Sequence, residues 1–343
     1  MKRIFFAIIA FTLILASCSN NVDLYSDSGD STVVYAMLDA SADTNFFKIT
    51  KSFIGNVYDL AHDYSANNYT YQEIDVTFSG VFEGSNNTQT FTLDTISKWI
   101  PAQLDATFYN GCWQTYYYTD KKLKEGEKYT LNIYRKADSL NITTQATTIN
   151  SFSISKPFLN QIIQFKDAKR GTVEWRVSDP ETMFKSTAAY FTVTGFFHYK
   201  ELMPGATDTV YRSIQWSLGS GEADALYNTT DRYYVISYTP KALYDVLASN
   251  EYLKNNSPIG VKRWYEKFEY KVSAIGDELY NYSVVNNSSS AIQDTPNFTN
   301  VENGVGLMSS RVSRSSFHRI NQTSRQKIED DFPQYGFVHD PNP

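Results

Sequence analysis

From Tyr129 to Ile133 the chain reads Tyr-Thr-Leu-Asn-Ile, a bulky apolar residue at every second position. That period puts one set of side chains on one face of an extended strand and the other set on the opposite face. A helix cannot gather such a set into one buried stripe. The pattern recurs. Phe47, Ile49 and Phe53 share one face of a run from Asn45 to Phe53, with Lys48, Thr50 and Ser52 on the other. Ile74, Val76 and Phe78 alternate in the same way, and Gly84-Ser85-Asn86-Asn87 marks a turn before a return strand over Gln89 to Leu93. Tyr and Phe, 26 and 22 in number, outweigh the helix-favouring aliphatics. Aromatic and β-branched side chains suit a pleated, half-buried surface. The chain is expected to be mainly β.

The first strand candidate is Thr32 to Leu38, and Leu140 to Ile149 is the expected partner of the Tyr129 strand. Val57, Leu60 and Ala61 have helical spacing, so a short helix is expected within Asn56 to Asn67. Lys98 to Trp113 reads as irregular. Ser151 to Pro157 is polar and ends in a proline that stops a continuing strand, which marks a crossing between two units. Beyond it, Ile162–Phe165, Thr172–Val177, Ala188–Tyr199, Thr209–Leu218, Tyr233–Tyr238 and Phe268–Ile275 read as strands. Pro240 to Lys254 is the best helix candidate. Thr239 can cap it, Pro240 sits at its first position, and Leu243, Val246 and Leu247 line one face. Short strands, frequent turns and no helical layer are the pattern of immunoglobulin- or fibronectin-like β-sandwiches. Two such domains in tandem with a few short helices are expected, over 31–152 and 153–315, followed by a C-terminal tail over 316–343.

The N-terminus carries a different signal. Lys2 and Arg3 precede an apolar run from Ile4 to Leu15, broken only by Thr12. The run is shorter than the roughly 20 apolar residues of a membrane-spanning helix and has the layout of a secretory signal. Leu15-Ala16-Ser17-Cys18 closes it and resembles a bacterial lipobox, in which the Cys thiol takes a lipid and the chain is cut just before it. Residues 1–17 are therefore expected as a lipoprotein signal peptide, Cys18 as the lipidation site, and 18–30 as a lipidated tether. An ordinary signal with a chance Cys is the alternative. Asp23, Asp27 and Asp30 sit in the aperiodic stretch that follows. They resemble the acidic signal that sends such lipoproteins to the cell surface in Bacteroidota, and a solvated linker explains them equally well.

Removing Lys2 and Arg3 with the signal takes the formal net charge from −6 to −8. An acidic chain argues against nucleic acid as a partner. It also leaves membrane attachment to the acyl chains on Cys18, each buried CH2 contributing about 0.8 kcal/mol. With Cys18 lipidated, Cys112 has no disulfide partner. It lies among aromatics, where an inert buried thiol is expected. His62, His198, His318 and His339 share no metal-ligand spacing with one another or with Cys. His198, between Phe197 and Tyr199, is expected to pack, and His62 to lie at the surface. No Gly-x-Ser-x-Gly elbow occurs. Asp330 and Asp331 are adjacent, so their side chains diverge on a strand or a helix. No enzyme activity, cofactor or metal is expected. Trp99, Trp113, Trp175, Trp216 and Trp264 offer stacking surfaces for sugars, though such residues commonly fill sandwich cores. Asp30-Ser31-Thr32, Asp94-Thr95-Ile96, Asp138-Ser139-Leu140 and Asp208-Thr209-Val210 resemble the O-glycosylation triplet of exported Bacteroidota proteins.

Near the C-terminus stands Phe298-Thr299-Asn300-Val301-Glu302-Asn303-Gly304-Val305-Gly306, running on to Ser309-Ser310-Arg311. Together with the strands around Met37, Ile133, His198 and Trp216, this segment resembles an uncharacterised family of Bacteroidota cell-envelope lipoproteins, over roughly 30–320. The resemblance implies location and architecture and carries no activity. Physically, Asn303-Gly304 is a turn pair, and Gly304 and Gly306 suit a bend or bulge with positive φ before a strand. Asn303, Gly304 and Gly306 are therefore expected as a structural motif. Phosphate binding would need a strand-to-helix setting. Arg311, Arg314 and Arg319 follow among serines, and a solvated or salt-bridged face is expected for them. The function expected is non-catalytic surface recognition by a protein lipid-anchored in the outer membrane, an accessory to an outer-membrane transporter. The alternative is a glycan-binding lipoprotein of a polysaccharide uptake system. A broad patch without a groove would favour the first, and an exposed row of coplanar aromatics the second.

Overall fold

The computed structural model describes residues 31–52, 70–71, 73–100, 112–166, 170–177, 184–287 and 298–338. The expected signal peptide, Cys18, the tether and the helix around Val57 with His62 lie outside the described residues, as does His339. The first strands in chain order are β1 (Thr32–Leu38), β2 (Asn45–Lys51), β3 (Ile74–Gly80), β4 (Gln89–Thr92), β5 (Asp94–Ile100), β6 (Cys112–Thr119), β7 (Lys128–Arg135) and β8 (Leu140–Thr147). There follow β9 (Phe152–Lys156), β10 (Gly171–Val177), β11 (Tyr190–Leu202), β12 (Val210–Glu222), β13 (Tyr227–Asn228), β14 (Tyr233–Tyr238) and β15 (Lys262–Ile275). The last are β16 (Val301–Glu302), β17 (Val305–His318) and β18 (Phe337–Val338). Helices are few: α1 (Ala223–Leu226), α2 (Ala242–Ser249), α3 (Glu251–Asn255), α4 (Asp277–Asn287) and α5 (Gln322–Asp331). The chain is mainly β, as the alternation predicts.

Three sheets form. The largest runs β12-β11-β15-β17-β1-β2-β6-β5, with β18 beside β15. The others run β13-β14-β10-β9 and β16-β8-β7-β3-β4. Each smaller sheet packs its apolar side chains against one half of the largest. Around the first half, Phe47 and Phe78 meet edge to face at 4.9 Å, and Phe78 stacks on Tyr129 at 5.2 Å. Around the second, Trp175 stacks on Tyr234 at 5.9 Å and meets Phe191 at 5.0 Å. Aromatic pairs in these geometries add about 0.5–1.5 kcal/mol beyond the area they bury.

β17 joins the halves. Val305 to Ser310 runs parallel to β1, and Arg311 to His318 antiparallel to β15. Met308 and Val301 belong to the first hydrophobic cluster, Val312 to the second. Thus the expected 153–315 unit supplies side chains to both clusters. Ser310 sits where the two meet. Its hydroxyl donates to the Leu38 carbonyl at 2.8 Å and accepts from the Ile149 N–H at 3.2 Å.

Other elements differ from expectation. Pro240 to Lys254 is two helices, because Asn250 leaves the helical region and its side chain caps α3 by accepting from the Leu253 N–H at 3.0 Å. Leu243 and Leu247 are buried as their spacing predicts. Lys98 to Trp113 includes the end of β5 and the start of β6. Ile162 to Phe165 forms no strand, only a single bridge from Ile163 to Ile320. The stretch expected as a tail carries α5 and β18, and it packs Ile328, Tyr335 and Phe337 into the second cluster.

Candidate interaction surface

Phe46 and Phe47 are adjacent on β2, so any strand must send one ring to each side. Phe47 is fully buried, while Phe46 is 36% exposed on the outer face of the largest sheet. Neighbouring strands extend that face. Phe46 pairs across to Tyr118, and Tyr118 to Asp94. Tyr35 pairs to Lys48, Tyr116 to Ile96, and Gln114 to Lys98. Tyr35 is 46%, Met37 38% and Ile96 40% exposed. Tyr116 and Tyr118 are half-buried. The result is a patch of aromatic and aliphatic side chains across β1, β2, β6 and β5, about 14 Å wide at three strand spacings.

Its rings are not coplanar. Phe46 makes an interplanar angle of 79° with Tyr116, at 6.4 Å, and of 42° with Tyr118, at 6.3 Å. The Lys98 ammonium lies 3.6 Å from the centre of the Phe46 ring, a cation–π contact. Lys48 and the Tyr116 hydroxyl both donate to the Gln114 side-chain oxygen, at 2.8 and 3.1 Å. This gives an apolar centre with polar groups along one side, the layout of protein contact surfaces. On the β17 side the patch ends at α4. Leu307, the parallel neighbour of exposed Tyr35, is only 2% exposed. There the Leu279 N–H and the Glu278 carboxylate both bond the Ser309 hydroxyl, at 3.2 and 2.9 Å. Burial raises the Glu278 pKa above its ordinary value, partly offset by hydrogen bonds from its own backbone and Ser309.

The closing motif lies beside this surface. Asn303 has φ +58° and Gly306 φ +123°, while Gly304 has no positive φ. A Cβ on Gly304 would come within 2.7 Å of the Thr32 carbonyl oxygen. The Asn300 side chain bonds both the carbonyl and the N–H of Met308, at 2.7 and 3.0 Å, and the Asn303 side chain donates to the Asn141 carbonyl at 2.9 Å. The motif thus ties β17 to β1 and β8.

Other singled-out residues scatter. Trp175 is buried, Trp216 packs on the second cluster, and Trp99 and Trp113 form an exposed edge-to-face pair at 5.8 Å. His198 lies on the outer face, where its ring stacks on Phe196 at 6.0 Å and its Nε2 is 2.8 Å from a Glu269 oxygen. The Cys112 backbone is in β6 and its side chain is outside the described residues. Asp330 and Asp331 lie on α5, where Asp331 pairs with Lys327 at 2.6 Å. Among the described residues no group of three His, Cys, Asp or Glu converges as metal ligands. Alternation alone did not single out Phe46, although the Phe-Phe pair signals an outward ring. No protein-family model matches the chain, and no curated protein matches it.

Proposed function

We propose that the protein is an outer-membrane lipoprotein, anchored through Cys18 and exposed at the cell surface, whose outward aromatic face recognises another protein. In this reading it belongs with the Bacteroidota cell-envelope lipoproteins its closing segment resembles, and its two hydrophobic clusters are those of two immunoglobulin-like sandwiches. The supporting observation is the patch over Tyr35, Met37, Phe46 and Ile96: it spans four strands, and its rings are tilted rather than coplanar. Tilted rings offer poor stacking to a sugar chain but good contact area to a protein. An outer-membrane protein, such as a transporter the lipoprotein serves, is the partner class in this reading.

Site-specific photocrosslinkers at Tyr35 and at the buried Phe47, placed in living cells, test this. The Tyr35 probe should give one discrete adduct with an outer-membrane protein, lost in a Phe46→Asp background, and the Phe47 probe none. A Tyr35 probe that yields no protein adduct, or cells that keep the protein intact under an external protease, would remove the reading.

A further inference from the structure

A second feature lies at the other end of β17, away from the aromatic face. There a trough crosses the outer side of β12, β11, β15 and β17. One part, about 440 Å³, is lined by Tyr211, His198 and Glu269 among others. The next, about 510 Å³, is lined by Ile162, Asn160 and Arg319. Glu266, Lys267 and Phe317 line both parts, so the two are neighbours. The trough spans three strand spacings, about 14 Å, and extends onto the loop between β9 and β10.

Its acids have side-chain partners, and among the described residues two of its bases have no carboxylate partner. Glu266 pairs with Lys200 at 2.5 Å. A Glu269 oxygen lies 2.8 Å from the His198 Nε2, and Glu269 accepts from the Ser315 hydroxyl at 2.5 Å. Arg212 is taken by Glu201. The Lys267 ammonium lies 4.0 Å from the Phe317 ring centre. Among the described residues neither Lys267 nor Arg319 has a carboxylate within ion-pair distance. In a chain of formal charge −6, this concentrates uncommitted positive charge beside exposed ring faces. Phe317 is 46% and Tyr211 71% exposed.

The trough's polar groups are side chains. β11 is paired on both sides, and β15 is paired with β11, with β17 from Phe268 on and with β18 at Arg263 and Trp264, so the backbone N–H and C=O groups of these stretches are used within the sheet. A peptide strand laid across those stretches would find no backbone partners there, and main-chain pairing is what strand addition relies on. A glycan needs only hydroxyl and charge partners, with ring faces on which to stack. We propose that this trough binds an anionic glycan, a chain of uronate or sulfated sugars, with Phe317 and Tyr211 stacking on sugar rings and Lys267 and Arg319 meeting the acid groups.

Affinity electrophoresis of the full chain in detergent tests this, with polygalacturonate, dextran sulfate, neutral dextran and poly-L-glutamate as probes. At low salt one of the two acidic polysaccharides should retard the protein, and dextran should not. Added salt should weaken the retardation, because exposed charges are screened. Lys267→Gln with Arg319→Gln should weaken it about ten-fold or more, the scale of lost charged hydrogen bonds. Phe317→Ala should weaken it as well. Lys98→Gln, on the aromatic face, should leave it unchanged. These side chains are exposed, and an unaltered melting curve for each variant shows that folding is intact. The proposal is overturned if neither acidic polysaccharide binds, if dextran binds equally, if the double variant binds like wild type, or if Lys98→Gln is as damaging. Equal retention by poly-L-glutamate would reassign the trough to acidic polypeptides.

Discussion

Gly306 lies so close to Val34 that a Cβ on it would overlap the Val34 carbonyl oxygen. The two are register partners where β17 enters parallel pairing with β1, and Gly306 has φ +123°. Both the close approach and the dihedral require a residue without a side chain.

Gly306→Ala should therefore cost at least about 1 kcal/mol, lowering the melting temperature by a few degrees, about 2–4 °C per kcal/mol for a chain of this size class. Gly84 also has positive φ, +81°, but nothing lies within 4 Å of its Cβ position. Gly84→Ala pays the dihedral strain without the overlap. Calorimetry of the two variants separates the terms, and equal losses would mean that the approach to Val34 is unimportant.

Phe46 and Phe47 should respond oppositely to the same change. Phe47→Ala empties a fully buried site and should cost about 3–5 kcal/mol. Phe46→Ala should stay within about 1 kcal/mol yet remove the partner adduct at Tyr35. Urea denaturation of both, run beside the crosslinking assay, checks this. A Phe46 variant that loses as much stability as the Phe47 variant would make the outer ring structural.

Glu201 and Arg263 form a fully buried ion pair, with the Arg263 Nε 2.8 Å from one Glu201 oxygen. Arg212 and Tyr252 hold the other oxygen, at 2.5 and 2.6 Å. Burial pushes the Glu201 pKa up, but hydrogen bonds from Tyr252, Arg212 and Arg263 outweigh it and leave it below the ordinary value. Arg263 also donates to the Tyr335 and Asn256 carbonyls, which ties β15 to the C-terminal stretch. Arg263→Met should cost about 3–5 kcal/mol, toward the lower end because Glu201 keeps two partners. Arg263→Met with Glu201→Leu should cost less than the two single changes added together. Strict additivity in a double-mutant cycle would show no coupling.

His318 gives the protein an acid-side weakness. It is 3% exposed, with Nδ1 3.0 Å from the Gln161 carbonyl and Nε2 2.7 Å from the Ser316 hydroxyl. These partners suit a neutral ring that donates to Gln161 and accepts from Ser316. Burial lowers its pKa from 6.5, and the Gln161 carbonyl opposes this only in part. As pH falls below 6.5 the unfolded chain takes up the proton first. The contribution of His318 is thus complete above that pH and is lost as pH falls toward the folded-state value. The stability difference between wild type and His318→Gln should shrink between about pH 7.5 and pH 5. A constant difference would show that the ring does not titrate differently on folding.

Local order was legible in the sequence because alternation follows from covalent geometry. Successive side chains in an extended chain point opposite ways wherever the strand ends up. That is enough to put Phe47 and Ile49 on one face and Val76 and Phe78 on another, and the turn at Asn303-Gly304 follows from the Asn-Gly pair itself. Which strand lies beside which is set by non-local pairing, and nothing in the local period encodes it. Only the tertiary structure brought Val305–Ser310 to β1 and Arg311–His318 to β15, so that one strand serves two hydrophobic clusters. The helix break at Asn250 is local too, since its side chain caps the next helix in competition with helix continuation. The tertiary structure also set Phe46 beside Tyr118 and Lys267 over Phe317. A surface or a trough is made of residues distant in sequence, and their meeting is decided by how the sheets pack.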